Sequence, residues 1–108
     1  SLQKMEALLA REPGNPYFLE LKGQMLTDFG RVRDALAPYR QAVEKLPDAG
    51  LIRIAYAHAL IESGGQDSGK LGEAVSQLQR ALKDEPRTPR IHRLLATAYG
   101  RLGQESLA

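Results

Sequence analysis

Small residues recur along this chain in a fixed order, and no other feature limits the possible fold as much. Gly23, Leu26 and Gly30 stand at offsets of 3 and 7 residues. The same offsets recur in two further sets, which are Ala57, Leu60 and Gly64 and then Ala96, Tyr99 and Gly103. The first two sets begin 34 residues apart. Such a period is typical of chains that stack short structural units, each in contact only with its neighbours.

Each unit has the pattern of two amphipathic helices joined by a turn. Asn15 and Pro16 can begin a helix, because Asn accepts hydrogen bonds from free amides and Pro suits the first turn. Gly30 and its equivalents Gly64 and Gly103 can end the first helix of each unit in the left-handed conformation. We therefore predict helices over residues 2–12, 16–29, 32–46, 50–63, 70–85 and 89–102.

The pattern also predicts how the helices pack. Small residues are expected where paired helices approach closely, at Gly23, Ala35, Ala57, Ala74 and Ala96. Large apolar residues are expected to fill the space around them, at Leu19, Leu26, Leu36, Tyr39 and Val43. Since one hairpin cannot bury its own apolar face, stacking on neighbouring hairpins must supply the core.

This order of small residues, apolar residues and proline resembles the tetratricopeptide repeat (TPR). The resemblance implies an all-α solenoid of antiparallel helix hairpins with about six helices. It divides a single domain into a half-repeat 1–15, a repeat 16–49, a repeat 50–88 with five extra residues within 65–72, and the first helix of a further repeat, 89–108. Solenoids normally end in polar caps, and none is recognisable here, so we expect the chain to be part of a larger protein.

Four segments of the chain resemble one group of TPR proteins more closely than they resemble the repeat in general. They are Asn15–Arg31, Ala35–Leu60, Glu73–Pro86 and Leu94–Gly103. Together they resemble the C-terminal TPR region of bacterial zinc metalloproteases of the HtpX/BepA-like type, in which this region follows an HExxH catalytic domain. The resemblance implies a non-catalytic module that positions substrates or partners, or regulates access to the protease domain, and it implies a periplasmic location. The alternative is a stand-alone TPR scaffold or peptide-binding adaptor unrelated to proteolysis.

The chain itself lacks the residues that catalysis or metal binding would need. It has no Cys, which excludes disulfides, thiolate metal sites and a Cys nucleophile. Its two histidines, His58 and His92, are 34 residues apart and cannot form the i, i+4 pair of an HExxH zinc site. We therefore expect no enzymatic activity, no metal and no cofactor in this chain. An enzyme fragment that retains activity is the opposing hypothesis, and chelator-sensitive cleavage of casein would support it.

In TPR stacks the first helices line a concave groove. By repeat position, the residues expected there are Tyr17, Glu20, Gln24, Asp28, Leu51, Ile54, His58, Glu62, Arg90, Arg93, Thr97 and Arg101. Such a groove would change from acidic through apolar to basic, which suits a protein or peptide partner with an apolar centre. Glu20 and Gln24 stand where a clamp for a C-terminal carboxylate would have Lys and Asn, so we expect no such clamp. Alternatively, these residues are only the solvated faces of stacked helices.

Four arginines near the C-terminal end have no acidic residue among them. They are Arg87, Arg90, Arg93 and Arg101, in a chain whose net charge is only +2. One interpretation is a patch for an anionic partner, and the other is pairing with acids such as Asp84 and Glu85. Nucleic acid is not an expected partner, because Tyr99, the nearby aromatic residue, is expected in the core and so cannot stack on bases. No apolar run approaches the ~18 residues that would span a membrane.

The glycine-rich segment 64–70 is similar to a phosphate-binding loop only superficially. It follows a helix rather than a strand, and Lys70 is followed by Leu71 where such a loop needs Ser or Thr. We predict a hairpin loop in which Asp67 or Ser68 caps the next helix.

Apolar residues of the first and last helices are expected to remain partly uncovered. They are Leu2, Met5 and Leu9 at one end and Leu94, Leu95, Ala98, Tyr99 and Leu102 at the other. Exposed apolar stripes promote end-to-end packing, so we predict self-association at high concentration. A monomer in sedimentation at millimolar concentration would contradict this prediction.

Overall fold

A computed structural model describes the backbone of residues 1–107 and the side chains of residues 1–103. Over this range the chain forms six α-helices and no strand, which confirms the all-α prediction. The helices are α1 (Leu2–Arg11), α2 (Pro16–Asp28), α3 (Val32–Lys45), α4 (Gly50–Gly64), α5 (Ser68–Asp84) and α6 (Pro89–Leu107). None of them, over residues 1–107, is long and apolar enough to cross a membrane.

The helices stack in chain order into an elongated body of 48 × 27 × 19 Å. Each helix packs against the next, and α4 also contacts α2 and α6. The first helices of successive hairpins therefore form one row, and α4 lies between the other two. This is the arrangement of a TPR-type α-solenoid, and it places α2, α4 and α6 on one side of the molecule.

Two helix starts are capped as the sequence predicts. The Asn15 side chain accepts hydrogen bonds from the amides of Tyr17 (2.9 Å) and Phe18 (3.3 Å). Asp67 accepts from the amides of Gly69 (2.9 Å) and Lys70 (3.4 Å), so α5 begins at Ser68, two residues earlier than predicted.

Removal of the Asp67 carboxylate is expected to destabilise α5. We predict that Asp67→Ala lowers the free energy of unfolding by about 1 kcal/mol, because it leaves first-turn amides without a protein acceptor. Urea denaturation followed by circular dichroism measures the change. The matched control is Ser68→Ala at the adjacent exposed position, which is expected to change the free energy of unfolding by less than about 0.5 kcal/mol. Equal effects of the two substitutions would contradict the capping role.

Of the three glycines expected to end helices, only Gly30 does so. Its φ is +79°, and the bonds from Gly30 N to Thr27 O and from Arg31 N to Leu26 O close the end of α2. The prediction for Gly64 was wrong by one residue, because Gly64 is the last residue of α4 and Gly65 takes the positive φ of +56°. The prediction for Gly103 was also wrong: α6 continues through it to Leu107, and good helix formers such as Gln104 and Glu105 follow.

The core contains most of the residues predicted for it. Leu19, Leu26, Tyr39 and Val43 are buried, Leu36 is half-buried, and the small residues Gly23, Ala35, Ala57 and Ala74 are buried between helices. Ala96 was predicted wrongly, since it is exposed. On α6 the buried face is set by Ile91 and Ala98, which are seven residues apart and share one side of the helix.

The first and last helices match the expected exposure only in part. Met5 and Leu9 are buried, with exposed fractions of 3% and 8%, and Leu8 is the exposed leucine of α1. At the other end Ala98 is buried, Leu94, Leu95 and Leu102 are half-buried, and Tyr99 is exposed. The prediction for α1 was therefore wrong for Met5 and Leu9, which pack in the core, whereas Leu2 is only half-buried, as expected. Self-association through α6 stays a prediction.

A polar network joins the middle helices. Arg53 is 5% exposed, and it donates to the carbonyl of Pro47 (2.8 Å) and to Oε1 of Gln77 (2.5 Å). The buried Tyr56 hydroxyl donates to Oε2 of Glu73 (2.6 Å) and accepts from Nε of Arg40 (3.0 Å). Burial, followed by the bond to Glu73, raises the pKa of Tyr56 to about 12. These bonds connect α3, α4 and α5 through groups that would be costly to bury without partners.

Candidate functional site

The row formed by α2, α4 and α6 contains a cavity of about 380 Å³. These helices, the link between α5 and α6, and one side chain of α3 contribute to its wall. The lining residues are Glu20, Gln24, Thr27, Asp28, Tyr39, Leu51, Ile54, Ala55, His58, Thr88 and Arg90. We call this cavity and its rim the groove. Its walls contain charged, polar and apolar side chains, as small-ligand and peptide sites usually do.

The floor of the groove is formed by Tyr39, which reaches it from the second helix of the hairpin. Gly23 makes this possible, because a Cβ built on Gly23 would lie only 2.7 Å from Cε1 of the Tyr39 ring. Ile54 is 2% exposed and continues the floor on α4, whereas Leu51, one turn earlier, is 63% exposed. The floor is therefore mainly apolar, with the Tyr39 hydroxyl as its polar group, and an accessible leucine lies at its edge.

Charges of opposite sign lie on the two sides of this floor. Glu20 and Asp28 come from α2 and Arg90 from the first turn of α6, and α4 lies between these helices. Among side chains 1–103, none of these three groups makes an ion pair within 4.0 Å. The pKa of the Tyr39 hydroxyl is raised chiefly by burial; Thr27 and Arg90 lower it, and Glu20 and Asp28 raise it further.

Polar side chains complete the rim. His58 is half-buried, and its Nε2 lies 3.2 Å from Oε1 of Glu62 on the same helix. The Thr27 hydroxyl donates to the carbonyl of Gly23 (2.8 Å). Gln24 is exposed, and its amide makes no hydrogen bond within the described part of the chain. In residues 1–103, no three His, Asp or Glu side chains group together in a way that could hold a metal ion.

The family model described as Tetratricopeptide repeat matches residues 1–108. The chain belongs to the tetratricopeptide repeat family. Repeats of this family are protein–protein interaction modules and are generally non-catalytic. A comparison with curated proteins found no match for the chain. The groove lies between the first helices of successive hairpins of this repeat domain.

The TPR groove brings together seven of the residues expected in it. They are Glu20, Gln24, Asp28, Leu51, Ile54, His58 and Arg90. Tyr17 is 65% exposed on α2 but does not line the cavity. Glu62 lies outside it too, bordering a depression of about 440 Å³ near the turn between α2 and α3.

Three residues of α6 were expected in the groove but do not line the cavity. Arg93 and Thr97 are exposed further along the helix. Arg101 is half-buried and donates from Nη1 to the carbonyl of Ile61 (2.9 Å), so α4 already holds it. Of the described α6 residues, only Arg90 in the first turn lines the cavity.

Sequence reasoning missed Thr27, Tyr39 and Thr88 as lining residues. Thr27 follows Glu20 by seven residues, so the helical period alone could have indicated it. Tyr39 was correctly expected in the core, but a large ring opposite a glycine can be buried and still form the floor of a cavity. Thr88 precedes α6, and no pattern in the sequence indicated its position.

The arginines near the C-terminal end do not make the ion pairs that the sequence analysis considered for them. In the described side chains, Arg87, Arg90 and Arg93 form no ion pair with Asp84, Glu85 or any other acid. Asp84 instead lines a different depression together with Arg53. The placement of Tyr99 in the core was also wrong: it is 49% exposed, and its hydroxyl accepts a bond from Nε2 of Gln79 (2.8 Å).

Proposed function

We propose that this TPR chain binds a peptide segment of a partner protein in the groove between α2, α4 and α6. The observation that carries the proposal is the combination of an apolar floor and unpaired polar groups in one cavity of about 380 Å³. The family supports a protein partner in general, and the groove suggests where that partner binds.

The groove offers two kinds of contact. An apolar side chain of the peptide would lie on Tyr39 and Ile54 beside Leu51, and burying one such side chain contributes about 1.5–3 kcal/mol. The Gln24 amide can donate to and accept from a peptide backbone, since it has no hydrogen-bond partner among the described residues. No carboxylate clamp is proposed, because Glu20 would repel a C-terminal carboxylate.

The test is a selection of binders from a random library of twelve-residue peptides, followed by calorimetry. We predict that Leu51→Glu weakens the selected peptides about tenfold or more, because it places a charge at the edge of the apolar floor. The matched control is Leu8→Glu on α1, at an exposed leucine outside the groove, where less than a twofold change is expected. C-terminal amidation of the peptide is expected to leave affinity unchanged. Failure to enrich any peptide, or equal effects of the two variants, would contradict the proposal.

A more specific function rests on the resemblance to the HtpX/BepA-like proteases. In this version the TPR groove positions substrates or partners for a zinc-dependent protease domain of the same polypeptide, or regulates access to it. The full-length gene product provides the test: an HExxH sequence upstream, and a complex when the catalytic domain is added in trans, would support it. If no such domain is present, the adaptor or scaffold function remains.

A further inference from the structure

We propose that the groove selects its peptide by charge, placing a basic side chain against Glu20 and Asp28 and an acidic side chain against Arg90. This inference rests on the proposed function and specifies the partner: a segment with basic and acidic residues on opposite sides of an apolar centre. The inference is based on the charged side chains that line the cavity and form no ion pair within the described residues.

The acidic side of the groove is not neutralised by its own helix. Lys22, the only cation of α2, lies on another face, where its Nζ is 2.7 Å from Oε1 of Glu6 on α1. Glu20 and Asp28 line the cavity eight residues apart on α2, and neither forms an ion pair with any side chain in residues 1–103. This side of the groove can therefore accept a cation from a ligand.

Arg90 is distinguished from the other arginines by its place in the cavity wall. Lacking a partner does not distinguish it, because Arg11, Arg33 and Arg80 also form no hydrogen bond or ion pair among the described residues. Arg40, Arg53 and Arg101 each donate to an oxygen within the chain. Arg90 lines the cavity with no such bond in the described part of the protein, and the neighbouring exposed Arg87 and Arg93 are also unpaired there. An acidic side chain of the ligand would therefore be attracted to Arg90 on this side of the groove.

The apolar floor between the two sides makes charge selection effective. A ligand side chain on Tyr39 and Ile54 excludes water, and ion pairs at the edge of a desolvated contact are stronger than fully exposed pairs. A purely acidic peptide would satisfy Arg90 but would meet Glu20 and Asp28 as like charges. A purely basic one would meet Arg90 in the same way. Complementarity to both sides therefore favours a peptide with mixed charge.

The test compares the peptides enriched from the twelve-residue library by three forms of the chain. The native chain is expected to enrich an apolar centre with Lys or Arg on one side and Asp or Glu on the other. The double variant Glu20→Gln, Asp28→Asn is expected to lose only the basic preference, and Arg90→Gln only the acidic one. Arg11→Gln on α1 is the control and should keep both preferences.

Calorimetry on one enriched peptide then measures the coupling. Replacing its basic residue by Gln is expected to weaken binding about fivefold to the native chain and less than twofold to the Glu20→Gln, Asp28→Asn variant. Replacing its acidic residue should behave in the same way toward Arg90→Gln. Enriched peptides without the charge pattern, or purely acidic ones, would overturn this inference and leave peptide binding intact. If no peptide is enriched, the proposed function itself fails.

Discussion

Replacing Gly23 by valine is expected to lower the free energy of unfolding by about 2–3 kcal/mol. A Cβ at this position would lie 2.7–2.8 Å from three atoms of the Tyr39 ring. The ring is only 4% exposed, so it cannot move aside without disturbing the packing between α2 and α3. Gly23→Ala should cost less, about 1 kcal/mol, because the higher helix propensity of alanine offsets part of the steric penalty. Urea denaturation followed by circular dichroism measures both.

The matched control is Gly72→Ala in α5. Gly72 also lies within a helix, but a Cβ there would meet nothing within 4 Å. This substitution is therefore expected to stabilise the protein by about 0.5–1 kcal/mol. If Gly23→Ala were stabilising by the same amount, the close contact with Tyr39 would not limit this position. Combining Gly23→Ala with Tyr39→Leu should cost less than the sum of the single changes, because the smaller side chain relieves the clash.

This pair also connects the fold to the proposed site. Since Tyr39 is the floor of the groove, a side chain at position 23 that displaces the ring should alter the cavity as well as the stability. Variants of Gly23 that still fold at low temperature are therefore expected to bind the selected peptides more weakly, whereas Gly72→Ala should bind them normally.

Stability is expected to fall in alkaline solution through the titration of Tyr56. Its pKa is raised from 10.0 to about 12 in the folded protein. Between these values the unfolded chain loses the proton while the folded protein keeps it, so the free energy of unfolding decreases as the pH rises. The protonated Tyr56 hydroxyl contributes at most about 2.7 kcal/mol to the free energy of unfolding. This contribution is fully present below pH 10 and is lost as the pH approaches about 12. The raised pKa of Tyr39 acts in the same direction.

Tyr56→Phe separates this effect from the titration of other groups. At pH 8 the variant is expected to be less stable by about 1–2 kcal/mol, because Glu73 and Arg40 lose their bonds to the hydroxyl. Between pH 10 and 12 its stability should fall less steeply than that of the native chain. Tyr17→Phe removes a hydroxyl from an exposed ring and should change stability at pH 8 by less than about 0.5 kcal/mol. Parallel curves for the native chain and Tyr56→Phe would contradict the role of the buried hydroxyl.

The sequence predicted helix caps and helix ends correctly where residues adjacent in the chain decide them. Asn15 and Asp67 cap helices through amides two and three residues away, and Gly30 ends α2 through its own backbone freedom. Where two glycines compete, as at Gly64 and Gly65, the sequence could not show which would take the positive φ. The answer depends on where α5 begins and how α4 packs beside it.

The candidate site was predictable to the extent that it follows the helical period. Glu20, Gln24 and Asp28 on α2 and Leu51, Ile54 and His58 on α4 face the groove because spacing places them on one side of each helix. The same spacing did not predict that Arg101 would be held by the Ile61 carbonyl or that the Tyr99 hydroxyl would accept a bond from Gln79. Those outcomes depend on contacts between helices that are far apart in the chain.

The sequence by itself determined the number and order of the helices, the residues at which most of them begin and the stacking of hairpins, because small residues and proline recur at a period close to 34. Only the tertiary structure decided that the Tyr39 ring lies against Gly23 and forms the floor of a cavity, and that Glu20, Asp28 and Arg90 face it without ion-pair partners in the described residues. The physical reason is that helix formation depends on hydrogen bonds within a few residues, whereas a groove depends on how close separate helices can approach.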